Sequence, residues 1–284
     1  MEMTVRMPSP NKVRIRHAVT IDVLIPAIEK DLATLPYVID AVRTHVKHPI
    51  GRILIVAPKK TRILDFCRKK GCTFVDENTV LPITKKDIHY RSRKWERSGW
   101  LFQQFLKLNG DKLCTADYFL VIDADTVLIA PHRFREKGKT IFYSRNWSQP
   151  QYFTTYRKLM GRRAASSSSF VTHYMLFERS QLAQMKREIE VKHQKPWYSA
   201  ILHSMDRTKQ FAFSEFETYA NYLYSKNRGG MRIQKARNKG LHMNAGQLSK
   251  QKLNELAEKY RSLSFHKRKG YVRTTSSKSG TGGR

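Results

Sequence analysis

Apolar residues in the first third of this chain come in two alternating rhythms. Short solid runs at 18–26, 52–56 and 72–75 are rich in β-branched residues and read as strands buried on both faces. Between them, Leu32, Leu35, Val38, Ile39 and Val42 recur at helical spacing. A second helix is expected over about 61–70, with Gly71 as its cap. Strand, helix, strand, helix, strand predicts a parallel sheet with helices on its faces. Ligands of such sheets sit outside the carboxyl ends of the strands. Pro26, Ala57, Pro58, Asp76 and Glu77 would line that rim.

The pattern then carries the chain to its most informative stretch. A helix is expected over 95–108, its polar Arg97, Gln103 and Gln104 able to reach the rim. It leads into Tyr118-Phe-Leu-Val-Ile-Asp123-Ala-Asp125-Thr-Val-Leu-Ile129, an apolar strand interrupted by two carboxylates. On an extended chain positions i and i+2 share a face, so Asp123 and Asp125 would point together. Two such charges repel unless a cation neutralises them, and a hard divalent ion is the simplest one. The same residues also read as a solvated Asx-turn between two strands. Both readings stand on these residues alone.

Beyond 130 the rhythm is mixed. A short strand is expected over 140–143, then an aromatic and polar binding loop around Trp147. Residues 157–169 are basic, then serine-rich, and read as a mobile loop. An apolar strand over 170–177 carries His173. Helices are expected over 179–191, 197–205 and 211–223. In the last, Ser214 is a natural N-cap, Glu217 its capping-box partner, and Glu215 a first-turn acid. Short edge segments follow near 231–233 and 239–244, then an amphipathic helix over 248–260. The expected organisation is a flexible basic arm (1–17), one domain (18–262, with halves 18–130 and 131–262) and a disordered basic tail (263–284).

Composition changes this picture at one point. The 284 residues, 40% hydrophobic, suffice for a large core, and no apolar run is long enough to span a bilayer. With no apolar stretch near the N-terminus, the expected location is the cytoplasm. Cys67, Cys72 and Cys114 lack zinc-ligand spacing and are read as reduced and structural. The net charge of +31 is the unusual quantity. It suits nucleic acid, the anionic inner face of a membrane, an anionic substrate, or a merely solvated surface. No helix-turn-helix or zinc finger is present, so nucleic acid is the less favoured partner. Neither a Gly-rich dinucleotide fingerprint nor a Gly-Lys-Ser/Thr phosphate loop is present.

Four blocks in order carry a resemblance: 99–108 (Gly-Trp-Leu-Phe-Gln-Gln-Phe-Leu-Lys-Leu), 123–126 (Asp-Ala-Asp-Thr), 173–177 (His-Tyr-Met-Leu-Phe) and 213–219 (Phe-Ser-Glu-Phe-Glu-Thr-Tyr). Together they resemble the GT-A fold of nucleotide-sugar glycosyltransferases. More narrowly, they are similar to a bacterial glycosyltransferase-like family of undefined substrate. The resemblance implies an α/β, Rossmann-like fold: a mostly parallel sheet sandwiched by helices, with a mixed acceptor-side half. It implies Mn²⁺ or Mg²⁺ on Asp125 and Asp123, completed by a late histidine, for which His242 is the match. His242 as an ordinary core or surface histidine is the competing reading. Pro26, Asp76, Arg97, Gln103, Asp123 and Ala124 would bind the donor. Glu215 would be the catalytic base of an inverting enzyme, or else only the first-turn acid of its helix. His173, Trp147 and Glu217 would lie on the acceptor side, with His173 as a satisfied core histidine of its strand the competing reading. The implied partners are a nucleotide sugar, a UDP-sugar by the habit of the fold, and a glycan or lipid-linked acceptor of the cell envelope. Peripheral contact with an anionic membrane would follow from the charge. A nucleic-acid binder and a catalytically inactive sugar-nucleotide binder are the alternatives.

Overall fold

The computed structural model describes residues 19–266 apart from Ser167. The arm at 1–17 and positions 267–284 of the tail lie outside the described residues. In chain order the first half contains β1 (Ile21–Pro26), α1 (Leu35–His45), β2 (Ile50–Ala57), α2 (Thr61–Lys70), β3 (Thr73–Asp76), α3 (Lys85–Ile88), α4 (Ser98–Leu108), α5 (Gly110–Leu113), β4 (Tyr118–Ile122) and β5 (Thr126–Leu128). The second half contains β6 (Arg135–Glu136), β7 (Lys139–Ser144), α6 (Pro150–Met160), β8 (Tyr174–Glu178), α7 (Arg179–His193), α8 (Trp197–Ser204), α9 (Glu215–Lys226), β9 (Met231–Lys235), β10 (Asn238–Leu241), α10 (Lys250–Lys259) and β11 (Ser262–Phe265).

The main sheet has the order β3-β2-β1-β4-β8. Its first four strands are parallel, and β8 joins antiparallel to β4. This is the α/β architecture the sequence predicts, a mainly parallel sheet flanked by helices with smaller mixed sheets beside it. The alternation of side chains explains its two cores. Phe119 and Val121 face the side covered by α4, α7 and α9. Leu120 and Ile122 face the side covered by α1 and α2. The strand order runs outward from β1 to β3, then restarts at β4 on the other side of β1. The crevice between the ends of β1 and β4 is therefore the switch point where a ligand is expected.

Three expectations are corrected. The stretch 118–129 is not one strand: Thr126 N donates to Asp123 O at 3.1 Å, and this turn sends β5 into a different sheet. The start of the supposed mobile loop belongs to α6, begun by Pro150 and anchored by Tyr152, Thr155, Tyr156 and Leu159. The tail does not begin at 263. Residues 262–265 form β11 between β10 and β5, with Leu263 fully buried and Phe265 nearly so. Two burial-driven contacts outweigh the basic composition that follows.

Candidate active site at the β4–β5 turn

Two strands deliver one histidine each to the two aspartates. β8 pairs with β4 so that Tyr174 stands opposite Ile122, which puts His173 opposite Asp123. Asp123 N donates to His173 O at 2.9 Å, and His173 Nδ1 lies 3.1 Å from Asp123 Oδ2. His173 is held at a φ of +71°, a left-handed conformation that strains most side chains and that histidine tolerates better than most. β11 pairs with β5, and Phe265 N donates to Asp125 O at 2.8 Å. The next residue, His266, places Nδ1 3.4 Å from Asp125 Oδ2. The two imidazole rings end 5.8 Å apart.

A lysine completes the charge balance from beneath. Lys107, on the last turn of α4, is buried, with Nζ 2.6 Å from Asp123 Oδ1 and 2.8 Å from Glu215 Oε1. Its ammonium also lies 4.6 Å from the centre of the Phe216 ring. Burial works against charge on Lys107, but Asp123 and Glu215 more than offset it and hold its proton more tightly than usual. Burial likewise opposes charge on Asp123, yet Lys107 and His173 hold its carboxyl well below the usual range. The hydrogen bond to Asp125 keeps the His266 ring protonated to higher pH than an ordinary histidine. The premise that the two aspartates need an outside cation is thus corrected for Asp123, because the chain neutralises it with its own groups.

The other expected site residues divide. Pro26, Asp76 and Asp123 lie at the carboxyl ends of β1, β3 and β4, on one rim. Asp76 accepts from Asn78 N at 3.0 Å. Ala124 is buried in the turn. Gln103 is half-buried, and it is its neighbour Gln104 that meets the site, accepting from Glu215 N at 3.1 Å. Arg97 lies over the Phe211 ring at 4.7 Å and the Trp100 ring at 5.5 Å. Trp147 is 46% exposed, under the Arg145 guanidinium. Glu215 is not open to solvent: it is 3% exposed and its carboxylate is tied to Lys107. Ser214 caps α9 as expected, accepting from Glu217 N. Glu217 does not return the bond. Burial raises the pKa of its carboxyl group, whose oxygens accept instead from Ser169 Oγ, Phe170 N and Asn221 Nδ2. His242 is exposed, one residue past Leu241, whose carbonyl accepts from His266 N. The late histidine beside Asp125 is therefore His266.

Sequence reasoning passed over Lys107 and His266. Lys107 reads as the polar face of an amphipathic helix, and His266 sits in a stretch whose composition reads as tail. Only the pairing of β11 with β5 reveals the second.

Among the described residues no three His, Cys, Asp or Glu side chains stand together as a cage for a metal ion. Asp125 supplies a carboxylate donor, and His266 a second once its ring gives up the proton that Asp125 favours. An ion that stays bound to a substrate's phosphates needs only one or two protein ligands. The residues present fit an ion of that kind.

Several solved glycosyltransferases are similar to this chain in structure, at low identity. Galactosyltransferase LgtC, solved with donor and acceptor sugar analogues, is 12% identical with a TM-score of 0.45, covering 86% of this chain and 87% of that one. Mouse xyloside xylosyltransferase 1 is 11% identical with a TM-score of 0.45, covering 87% and 97%. Glucosyl-3-phosphoglycerate synthase from Mycobacterium tuberculosis, solved with Mn²⁺ and UDP, is 13% identical with a TM-score of 0.36, covering 77% and 70%. No curated protein matches the sequence. The family match is direct and spans residues 20–258, the whole sheet and both aspartates included: the chain belongs to DUF6492, a family of unknown function.

Proposed function

We propose that this protein is a glycosyltransferase that moves a sugar from a nucleotide-sugar donor, a UDP-sugar by preference, to a cell-envelope or exopolysaccharide glycan. One observation carries the reading. The Asp123–Asp125 turn sits at the carboxyl end of β4, at the switch point of the sheet, with its acids oriented by Lys107, His173 and His266. Mn²⁺ or Mg²⁺ would be held by Asp125 and His266, and when bound would stabilise charge on the departing diphosphate. Asp123, fixed from two sides, would orient the donor's ribose. Pro26 and Asp76 would border the base.

Glu215 takes a different role from the one its helix position suggests. A base must reach the proton it abstracts. Buried and bound to Lys107, Glu215 instead holds that ammonium against Asp123. The preference for an inverting outcome loses its base. The described residues contain no helix long and apolar enough to cross a membrane. The basic surface would serve for peripheral contact with an anionic membrane.

Titration calorimetry with UDP and Mn²⁺ tests the reading. Wild type should bind, Asp125→Ala and His266→Ala should each lose at least tenfold, and His242→Ala should match wild type. Absence of binding by wild type, or equal binding by Asp125→Ala, would sink it.

A further inference from the structure

The outer face of α6 and the loop that follows it border an open cavity of about 410 Å³, lined by Phe153, Thr154, Arg157, Arg163, Ala164 and Ser166. That volume falls in the range of small-molecule sites. Its polarity is one-sided. Residues 150–169 contain four Arg or Lys and no Asp or Glu. Arg157 and Arg163 are both exposed, and no carboxylate among the described residues pairs with either. Neighbouring basic groups are engaged: Arg162 lies over the Tyr222 ring, and Lys192 Nζ donates to Lys158 O. Two free guanidiniums facing one cavity are a site for a planar or tetrahedral acid.

The rest of the lining narrows the class of ligand. Phe153 offers an apolar surface, of the kind on which the C–H face of a sugar ring packs. The Thr154 hydroxyl donates back to Pro150 O, which leaves its oxygen free to accept from a ligand hydroxyl. The loop side is anchored. Ser166 N donates to Asn221 Oδ1, and Ser169 Oγ donates to Glu217 Oε2. Both partners lie on α9, whose first residue, Glu215, reaches Asp123 through Lys107. The cavity is thus built onto the helix that organises the candidate active site.

We infer that this cavity binds an acidic sugar unit, its carboxylate or phosphate between Arg157 and Arg163 and its ring against Phe153. The ligand chemistry stands without the transferase reading; only its role as an acceptor subsite rests on that reading. Binding of glucuronate, glucose 6-phosphate and glucose to the full chain, followed by ligand-observed NMR, tests it. Either acid should bind at least tenfold more tightly than glucose, and the tighter of the two identifies the acid. Arg157→Gln, Arg163→Gln and Phe153→Ala should each weaken the acid at least fivefold. Lys158→Gln removes the same charge from the same helix outside the cavity and should change binding less than twofold. Equal binding of glucose and the acids, or equal loss with Lys158→Gln and Arg157→Gln, would overturn the inference. UDP binding, measured in parallel, should be unchanged in Arg157→Gln. A wild type that binds glucuronate but no UDP would retain the cavity's assignment and remove the transferase.

Discussion

Replacing Lys107 with methionine is the sharpest perturbation of this site. The side chain has about the same length, so packing changes little. What is lost is the ammonium shared by Asp123 at 2.6 Å and Glu215 at 2.8 Å. Glu215 suffers most, because its side chain is only 4% exposed while that of Asp123 keeps 27%. Removing one partner of a buried ion pair costs about 3–5 kcal/mol, since the remaining charge keeps its desolvation penalty. The lost contact with the Phe216 ring adds about 2 kcal/mol for a desolvated ammonium, and it is absent from the single and the double variant alike, so it does not affect their comparison. Against a typical total of about 5–15 kcal/mol, this is a large fraction of the stability. For a domain of this size it corresponds to a fall in melting temperature of about 6–20 °C. Urea denaturation of a four-member cycle isolates the cause. Lys107→Met with Glu215→Gln should recover at least about 1 kcal/mol over Lys107→Met alone, because no uncompensated charge stays buried. If Lys107→Met falls within 1 kcal/mol of wild type, or the double variant is no better than the single, the charge account is wrong.

Two further outcomes test the frame around the site. Burial pushes the ring of His132 down to about 3, so it is neutral in the folded chain and charges in the unfolded one below about 6.5. Its contribution is complete above that pH and is lost as pH falls toward 3, by about 1.4 kcal/mol per pH unit. His132→Gln should flatten the stability slope between pH 6 and pH 4 by about that amount, and an unchanged slope in denaturant titrations refutes the assignment. A chain ended at residue 262 lacks the buried Leu263 and Phe265. Each is worth about 1.5–3 kcal/mol, so it should melt at least 5 °C below the full chain; an equal melting temperature would mean that β11 contributes no stability.

Local rules made the first half legible. Proline closes β1, and Gly71 at a φ of +58° ends α2 where no side chain sits easily, so the order of strands and helices could be read directly. The aspartates were legible as a candidate site, but not their geometry. An apolar run on both sides of Asp123 and Asp125 reads as one strand, whereas the chain turns there because each flank has a different partner strand. That choice depends on β11, more than 130 residues away, and no local pattern contains it. Glu215 illustrates the same limit. Its position at the start of α9 is a local fact, but its use is set by Lys107 from another helix.

The arrangement of β11 also bears on when the candidate site becomes complete. Lys107, Asp123, His173 and Glu215 leave the ribosome well before His266 does. Synthesis runs from the N-terminal side at about 5–20 residues per second. All five strands of the main sheet are therefore synthesised before the imidazole that meets Asp125, since β8 is complete by residue 178. A nascent chain at that stage holds Lys107, Asp123 and Asp125 without the second half of the Asp125–His266 pair. Pairing of Asp125 with its imidazole therefore waits for the synthesis of β11 and His266.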